Sequence, residues 1–574
     1  MPGPKADWRH CTSSTEMHTM NSEASATPWH ESGYSIVRYG VTITNCDAEP
    51  VHTPGCVQAH GALVVLRTAD LTILQVSENS YGILGTAPTL LLQQPVSVIL
   101  GEEGAYQLQQ FLLKEVTDCN PLFLCTATTD HNDALLDVTV HTVNGVVILE
   151  FESTAQRVVD GRMRNQDFYG VVRKTISRIA RATSLDAFCD TTARAVRDLT
   201  GFDRVMVYKF HPDFHGEVVA ENKRDGLGSW LGLHYPAEDI PVPARSIFQK
   251  VWVRPVPDIH GALAELEPLL SPDTGAALEM TYCALRGPSR MYTEYLQNMG
   301  VAACLTMPIR NGDKLWGLIA CHHYADVRAV CHQLRSACEL LAQVVSLQVD
   351  AVQAREQLQY RLKIGKAHQQ LVARLGRDDA ADALRDSAHS LLDGIAADGM
   401  AMYHQGQWWL DGYTLTEDVL VRLADWLFTR NEFRTESLSV FVTDSLSTVY
   451  PAAREWTAIA SGLMALPLST GRRELLLWFR TETIHTVHWA GNPDDKPTIT
   501  GLRGARLTPR RSFELFRESV RSRSLPWLDV EQETAAQLGT LVREVAASPA
   551  EPLATTEHQK LQLRMDRLLD ALME

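Results

Sequence analysis

The pattern of hydrophobic and polar positions changes period several times along the chain. Short apolar runs at 61–66, 72–76 and 138–151 read as strands, and with the helical stretch at 105–115 they predict an α+β domain. Between 165 and 200, Val171, Val172, Ile176, Ile179, Ala180, Ala187 and Phe188 recur at helical spacing and lead into a strand near Phe202. The stretch 257–288 carries Pro257, Pro268, Pro272, Gly275 and Pro288 and reads as a long loop, which in a compact domain implies a job. From 329 to about 377 the chain is nearly free of proline and glycine. There Leu334, Cys338, Leu341, Val345, Val349 and Val352 step by three and four, predicting a helix that connects two domains or forms a dimer seam. A third α+β unit runs to about 547, and after the breaker at 548–552 Leu561, Met565, Leu568 and Leu572 form a short helical seam.

These elements predict an α+β protein of three consecutive domains, at 41–160, 161–345 and 346–547, after a flexible extension at 1–40 and before a C-terminal helix at 548–574. A length of 574 residues fits that number. The net charge of -16, with no basic stripe interleaved with aromatics, argues against a nucleic-acid partner. No apolar run approaches the ~20 residues that span a bilayer, and the polar start lacks a signal-sequence pattern, so no membrane association and a cytoplasmic location are expected. The 11 cysteines show no C-x-x-C pair, which argues against a disulfide framework or a zinc ribbon and predicts mostly buried thiols. No phosphate loop, zinc-protease motif, kinase phospho-acceptor box or cyclase signature is present, so an enzyme is not expected.

Four places could carry chemistry. In Tyr235-Pro236-Ala237-Glu238-Asp239-Ile240-Pro241 two prolines stiffen a turn that aims the Asp239 carboxylate among Trp230, Leu231, Leu233, Tyr235 and Ile240, although an ordinary solvated loop has the same composition. Cys46 lies in a turn-rich segment, six residues before His52, and admits three readings: a buried thiol, which ranks first on chemistry alone, a catalytic nucleophile, or an attachment point for a ligand. Cys321-His322-His323 ends a predicted strand, so neighbouring side chains face opposite ways and cannot share one metal ion. His322 falls on the face of Trp316, Leu318 and Ala320, as a core histidine or a donor into a pocket. Arg254 and Arg286, isolated among apolar and aromatic residues, are either solvated or suited to carboxylates.

Three runs, 201–221, 235–241 and 315–323, resemble in order and spacing the chromophore-binding GAF domain of the phytochromes. Cys46 with Pro50-x-His52-x-Pro54-Gly55 and Gln58-x-His60-Gly61 is similar to the N-terminal signature of bacterial phytochromes. In the third domain Trp489-Ala490-Gly491-Asn492-Pro493 and Pro509-Arg510-Arg511-Ser512-Phe513 bracket an excursion that resembles the "tongue" hairpin of the PHY domain, at about 485–520. The resemblance covers about 40–547 and implies PAS, GAF and PHY sensor domains joined by long connector helices, with the N-terminal arm knotted through the loop near 258–288. It implies a red/far-red photoreceptor that binds the linear tetrapyrrole biliverdin through a thioether to Cys46.

By the same resemblance Arg254, Arg286 and Ser289 hold the propionates, Tyr208, Tyr235 and His322 lie near the outer pyrrole (ring D), and Asp239, Ile240, Pro241, Tyr295 and Thr306 complete the pocket. Phytochromes commonly have His where Tyr292 stands and Tyr where Phe248 stands, which puts a buried water and one propionate contact in question. Arg510 and Ser512 are implied as tongue contacts, with Arg510 paired to Asp239. A parallel homodimer and a downstream output domain or partner protein are implied as well. The alternative is a GAF/PAS sensor for a small diffusible ligand such as a cyclic nucleotide, in which Cys46 would have no purpose.

Overall fold

The computed structural model describes residues 51–117, 121–128, 135–154, 168–375, 385–430, 433, 439–469, 473–483, 485–490, 498–501, 504–507, 515–520 and 522–547. The 1–40 extension, Cys46, Arg510, Ser512 and the C-terminal seam lie outside the described residues. The rest falls into two compact units, one mostly before residue 348 and the other mostly after it.

The first domain is built on β2 (Gly61–Arg67), β3 (Ile73–Ser77), β4 (Leu122–Thr128), β5 (Leu135–Val143) and β6 (Val146–Ser153), following the short β1 (Cys56–Gln58). The expected strand at 138–151 is two strands. Asn144 (φ 46°) and Gly145 (φ 82°) adopt the left-handed conformations of a tight hairpin turn, so β5 folds back on β6 with Val143 opposite Val146. On one face Ala62, Val64, Leu66, Val138, Val140, Leu149 and Phe151 pack with Leu108 of the helix Ser97–Lys114. On the other face Leu63, Val65 and Ile148 pack with Ala264, Leu266, Leu278, Met280 and Leu285. Cover on both faces explains why β2 is one continuous apolar run rather than an alternating one.

That second cover comes from the predicted loop, which is not structureless. It follows β10 (Arg254–Val256) and contains β11 (Leu263–Glu267), and β11 pairs with β3 to extend the sheet to the order β1-β11-β3-β2-β6-β5-β4. The arm at 52–58 runs between two limbs of this loop. Cys56 faces Glu265 on one side, while Val57 bridges Arg286 and the Gly287 N–H donates to the Cys56 carbonyl (2.9 Å) on the other. A Cβ at position 287 would stand 2.6 Å from Cys56 Sγ, so glycine is required for this passage. Gln58 secures it, its Nε2 donating to the carbonyls of Pro255 (3.3 Å), Ala284 (3.2 Å) and Arg286 (3.4 Å).

Two buried acids of β6 tie the first domain to the second. Glu152 accepts a bidentate pair from Arg335; burial would raise its pKa, and the Arg335 guanidinium instead holds it well below the usual carboxylate range. Glu150 accepts from the N–H groups of Ala284 (3.1 Å) and Leu285 (2.6 Å), and burial outweighs these bonds and pushes it up to about 7. Its folded pKa lies above its ordinary 4.5, so its contribution to stability is full below about pH 4.5 and is lost as pH rises through about 7. Glu150→Gln removes the charge but leaves one acceptor where the carboxyl offers two, to Ala284 and Leu285. It is expected to melt below the parent at pH 5 and to narrow or reverse that gap at pH 8 in differential scanning fluorimetry; a gap of the same size at both pH values would contradict the assignment.

The second domain carries β7 (Arg204–Phe210), β8 (Gly216–Lys223), β9 (Leu233–Tyr235), β12 (Ala303–Asn311) and β13 (Lys314–His323), in the order β10-β12-β13-β7-β8-β9. One face buries Val205, Val207, Leu305, Ile319 and Cys321 completely. The helix His332–Leu375 follows, and Ser346 on it accepts from the N–H of Arg310 (2.9 Å). The expected stripe from Leu334 to Val352 is buried within the single chain, so it is not available as a dimer seam. A different stripe is exposed: Leu340, Leu347, Leu358 and Leu362 are 44%, 78%, 43% and 50% exposed. At 100° per residue they fall within an arc of about 60°.

In the second unit β14 (Gly399–His404), β15 (Gln407–Gly412), β16 (Phe441–Thr443), β17 (Gly462–Pro467) and β18 (Leu475–Arg480) form a sheet in the order β15-β14-β18-β17-β16. Leu420, Leu423 and Leu427 of the helix Glu417–Leu427 cover one face; Ala535, Leu538 and Val542 of Asp529–Ala547 cover the other. Within the expected tongue, β19 (His485–Ala490) and β22 (Leu515–Val520) are neighbours. Between them in sequence, β20 (Thr498–Gly501) pairs with β21 (Gly504–Leu507).

Candidate functional site

Strand register alone collects most of the candidate residues on one face. Arg254 of β10 stands opposite Thr306 of β12, Cys304 opposite His322 of β13, His322 opposite Arg204 of β7, and Leu318 opposite Tyr208. Phe210 is opposite Gly216, which is opposite Tyr235 of β9. Opposed residues of an antiparallel pair share a face. Arg254, Cys304, Thr306, His322, Tyr208 and Tyr235 therefore line one side of a surface five strand spacings, or about 24 Å, wide. Gly216 is needed at its narrow end, because a Cβ there would fall 1.7 Å from Cζ of the Tyr208 ring.

At that end Tyr208, Tyr235 and Phe248 form an apolar cluster with Met206, Val218 and Leu318, the Tyr208 and Tyr235 rings 5.8 Å apart. Phe248 ends the helix Val242–Phe248, whose N-terminus is set by Pro241 (φ -64°). Ala237–Asp239 form a single 3-10 turn after Pro236 (φ -59°). Arg245 clamps the turn, its Nη1 donating to the carbonyls of Ala237 (3.1 Å) and Ile240 (2.6 Å). Asp239 is half-buried and accepts from the Tyr295 hydroxyl (3.0 Å). Leu231, expected among the apolar neighbours of Asp239, is 57% exposed because it sits at the preceding turn.

Ser289 is the N-cap of the helix Arg290–Asn298, on which Tyr292 and Tyr295 are three residues apart and so point to one side. The Tyr292 hydroxyl lies 3.2 Å from Cys304 Sγ and 3.4 Å from Thr306 Oγ1, and burial pushes this phenol well above its usual range. The two departures from the phytochrome pattern thus have settled surroundings: Tyr292 is hydrogen-bonded where the family has an imidazole, and Phe248 is packed in hydrocarbon.

The polar end is electrostatically unbalanced. Arg254 and Arg286 are 7% and 4% exposed, and among the described residues neither has a carboxylate within ion-pair distance. Arg254 Nη2 donates to the Arg286 carbonyl (2.7 Å) and Arg286 Nη1 to that of Thr281 (2.9 Å), while Arg254 Nη1 is buried without a partner. Burial holds both guanidiniums below the ordinary arginine range, and the charge of Arg254 lowers Arg286 further. A buried unpaired cation is costly, so two side by side call for anionic groups from outside the chain's own described residues.

His322 presents a second unfilled position. Its Nδ1 is buried with no partner, and burial followed by the nearby Arg204 charge pushes its pKa down to about 3, leaving a neutral imidazole. Arg204 is itself paired with Glu221 (2.5 Å) and lies 3.8 Å over the Trp230 ring, which meets His322 edge-on at 5.8 Å. Arg204, Arg245 and Cys304 are site residues that the sequence reading missed. The alternation through 315–323, extended to β7 and β12, could have found Arg204 and Cys304.

An elongated face with paired cations at one end and aromatics with a neutral imidazole at the other fits an extended dicarboxylate with ring polar atoms. Residues 46–154 match the PAS fold, 184–351 the GAF domain and 364–551 the phytochrome region. The chain is 36% identical over 521 residues to cyanobacterial phytochrome B of Nostoc sp., a match covering 90% of this chain and 68% of that protein. It is also similar to the crystal structure of a bacteriophytochrome from the photosynthetic bacterium R. palustris (TM-score 0.76, 35% identity, 89% of this chain and 100% of that one). A second similar structure is the Stigmatella aurantiaca phytochrome photosensory core module (TM-score 0.72, 34% identity, 89% and 100%). The three matched regions and the relatives spanning them agree: the chain belongs to the phytochrome family, as a PAS–GAF–PHY photosensory module of a red/far-red photoreceptor.

Proposed function

We propose that the module binds biliverdin along the face from Arg254 to Tyr235 and is linked to it through Cys46. The observation that carries this reading is the buried Arg254 and Arg286 pair, two guanidinium forks without acid partners on the described chain, matched in number to the two propionates of a linear tetrapyrrole. Ser289, at the start of the helix beyond Arg286, adds a hydroxyl for one of them. His322 supplies a neutral imidazole near ring D, between Tyr208 and Tyr235 on one side and Thr306 on the other. Ile240 and Pro241 form the wall beside Asp239. When bound, the tetrapyrrole supplies the light absorption; the chain orients it, excludes water and places a carboxylate beside its nitrogens. Adding biliverdin to the apoprotein is expected to give a red absorption band that migrates with the protein, and an unchanged ligand spectrum would remove the reading.

Asp239→Asn tests the carboxylate. Asparagine can still accept from Tyr295, so the fold and ligand binding should persist, but it cannot hold the charge that proton movement at the pyrrole system requires. The light-induced difference spectrum is expected to lose most of its amplitude. Full photoconversion in the variant would refute this role.

Two copies are proposed to associate in parallel along the exposed stripe Leu340, Leu347, Leu358 and Leu362. Leu347→Glu with Leu358→Glu is expected to convert dimer to monomer in light scattering coupled to gel filtration. An unchanged mass would place the interface elsewhere.

A further inference from the structure

Outside the proposed tetrapyrrole site, three imidazoles converge at the end of the β7–β8 hairpin. His211 follows β7, His215 precedes β8, and His234 stands on β9 directly opposite Glu217 of β8. One nitrogen from each ring lies within 4.8 Å of the other two. The His211 and His215 rings stack at 4.2 Å, and the His234 ring is 5.9 and 5.3 Å from them. Since Gly216 and Tyr235 face the tetrapyrrole side, Glu217 and His234 project from the opposite side of β8 and β9.

Two carboxylates orient this cluster. Glu217 Oε2 is 3.0 Å from His211 Nε2, and Asp213 Oδ1 is 2.5 Å from His215 Nδ1. A carboxylate that accepts from one ring nitrogen fixes the tautomer and turns the other nitrogen toward a metal, the usual support of a metal-binding histidine. The hairpin that carries the first two rings is closed by the His211 N–H to the His215 carbonyl (2.9 Å) and the Phe214 N–H to the His211 carbonyl (2.8 Å).

We propose that His211, His215 and His234 form a binding site for a divalent zinc-class cation, with Nδ1 of His211 and Nε2 of His215 among the ligands and a water in the fourth position. Three neutral nitrogens with one open position suit Zn²⁺. Tetrahedral bonds of about 2.0–2.1 Å set nitrogens about 3.4 Å apart, so from separations of up to 4.8 Å the rings must draw together and the stacked pair must splay. The bound ion would fasten β9, and with it the start of the Tyr235–Pro241 turn, to the hairpin.

The test uses the full apoprotein and Zn²⁺ competed against a chromogenic chelator, with Co²⁺ absorption as a second readout. The expected result is one tight equivalent per chain and a d–d spectrum without thiolate charge transfer. Affinity should be lost at least tenfold in His211→Ala, His215→Ala and His234→Gln, and reduced about tenfold in Glu217→Gln, where only the orienting carboxylate is removed. His389→Ala, on the helix Ala388–Ile395 of the second unit, should bind as the parent, and melting without metal checks that each variant folds. Zinc held equally by all the histidine variants, a thiolate-type cobalt spectrum, or no stoichiometric binding would each overturn the proposal. Because no tetrapyrrole is used, the outcome is independent of the proposed chromophore.

Discussion

Cys46→Ser is expected to abolish covalent attachment of biliverdin while leaving most of the non-covalent affinity. Attachment requires the thiol to add across a vinyl group of the ligand, the sulfur bonding to one carbon and the proton passing to the other. A serine hydroxyl, far less acidic and less nucleophilic than a thiol, does not do this. Binding should survive if, as proposed, the face between Arg254 and Tyr235 supplies its contacts. The structure removes the nearest substitute in sequence: Cys56 is fully buried, its Sγ and carbonyl lying against the Gly287 position. Of the eight described cysteines seven are buried, and only Cys125 is partly exposed. Denaturing electrophoresis with zinc-induced fluorescence should show a bright band for the parent and none for the variant. A fluorescent variant would place the linkage on another thiol.

The second large effect separates a ligand site from a structural one. Breaking a buried ion pair by removing one partner destabilises a protein by about 3–5 kcal/mol. Among the described residues Arg254 has no such partner, so Arg254→Met is expected to leave the apoprotein as stable as the parent or more stable, since an uncompensated buried charge is replaced by hydrocarbon. The Arg286 carbonyl that loses the Arg254 donor keeps the longer bond from Gln58 Nε2 (3.4 Å). Affinity should move the other way: losing a charge-assisted bond of about 1.5–3 kcal/mol lowers it about ten- to a hundredfold. Measured in the Cys46→Ser background, where binding is reversible, the result should be weaker biliverdin binding at a melting temperature without ligand no lower than the parent's. A large loss of apoprotein stability with unaltered affinity would make Arg254 a structural cation.

What the sequence disclosed follows the range of the interactions. The Pro236 and Pro241 turn, the strands at 61–66 and 72–76 and the long helix are local, and period and proline placement revealed them, whereas the hairpin of β5 and β6 read as one strand. The face carrying His322 could be read from alternation, because side chains in a strand switch sides at each residue. The pairing of β11 with β3 joins segments nearly two hundred residues apart and leaves no local mark, so 257–288 looked like a loop when it is the second cover of the first domain's sheet. The stripe from Leu334 to Val352 had the right period for a seam, but period alone does not say whether a stripe faces its own chain or another. Arg245 went unnoticed because its task is to cap backbone carbonyls, which any surface arginine could appear able to do.

The measurement closest to the central claim is a light-minus-dark absorption spectrum of the apoprotein reconstituted with biliverdin. If the face from Arg254 to Tyr235 holds the tetrapyrrole beside Asp239, red light should bleach the protein-bound red band, raise a far-red-shifted one, and far-red light should reverse the change. A bound pigment whose spectrum is the same before and after red and far-red illumination would contradict it.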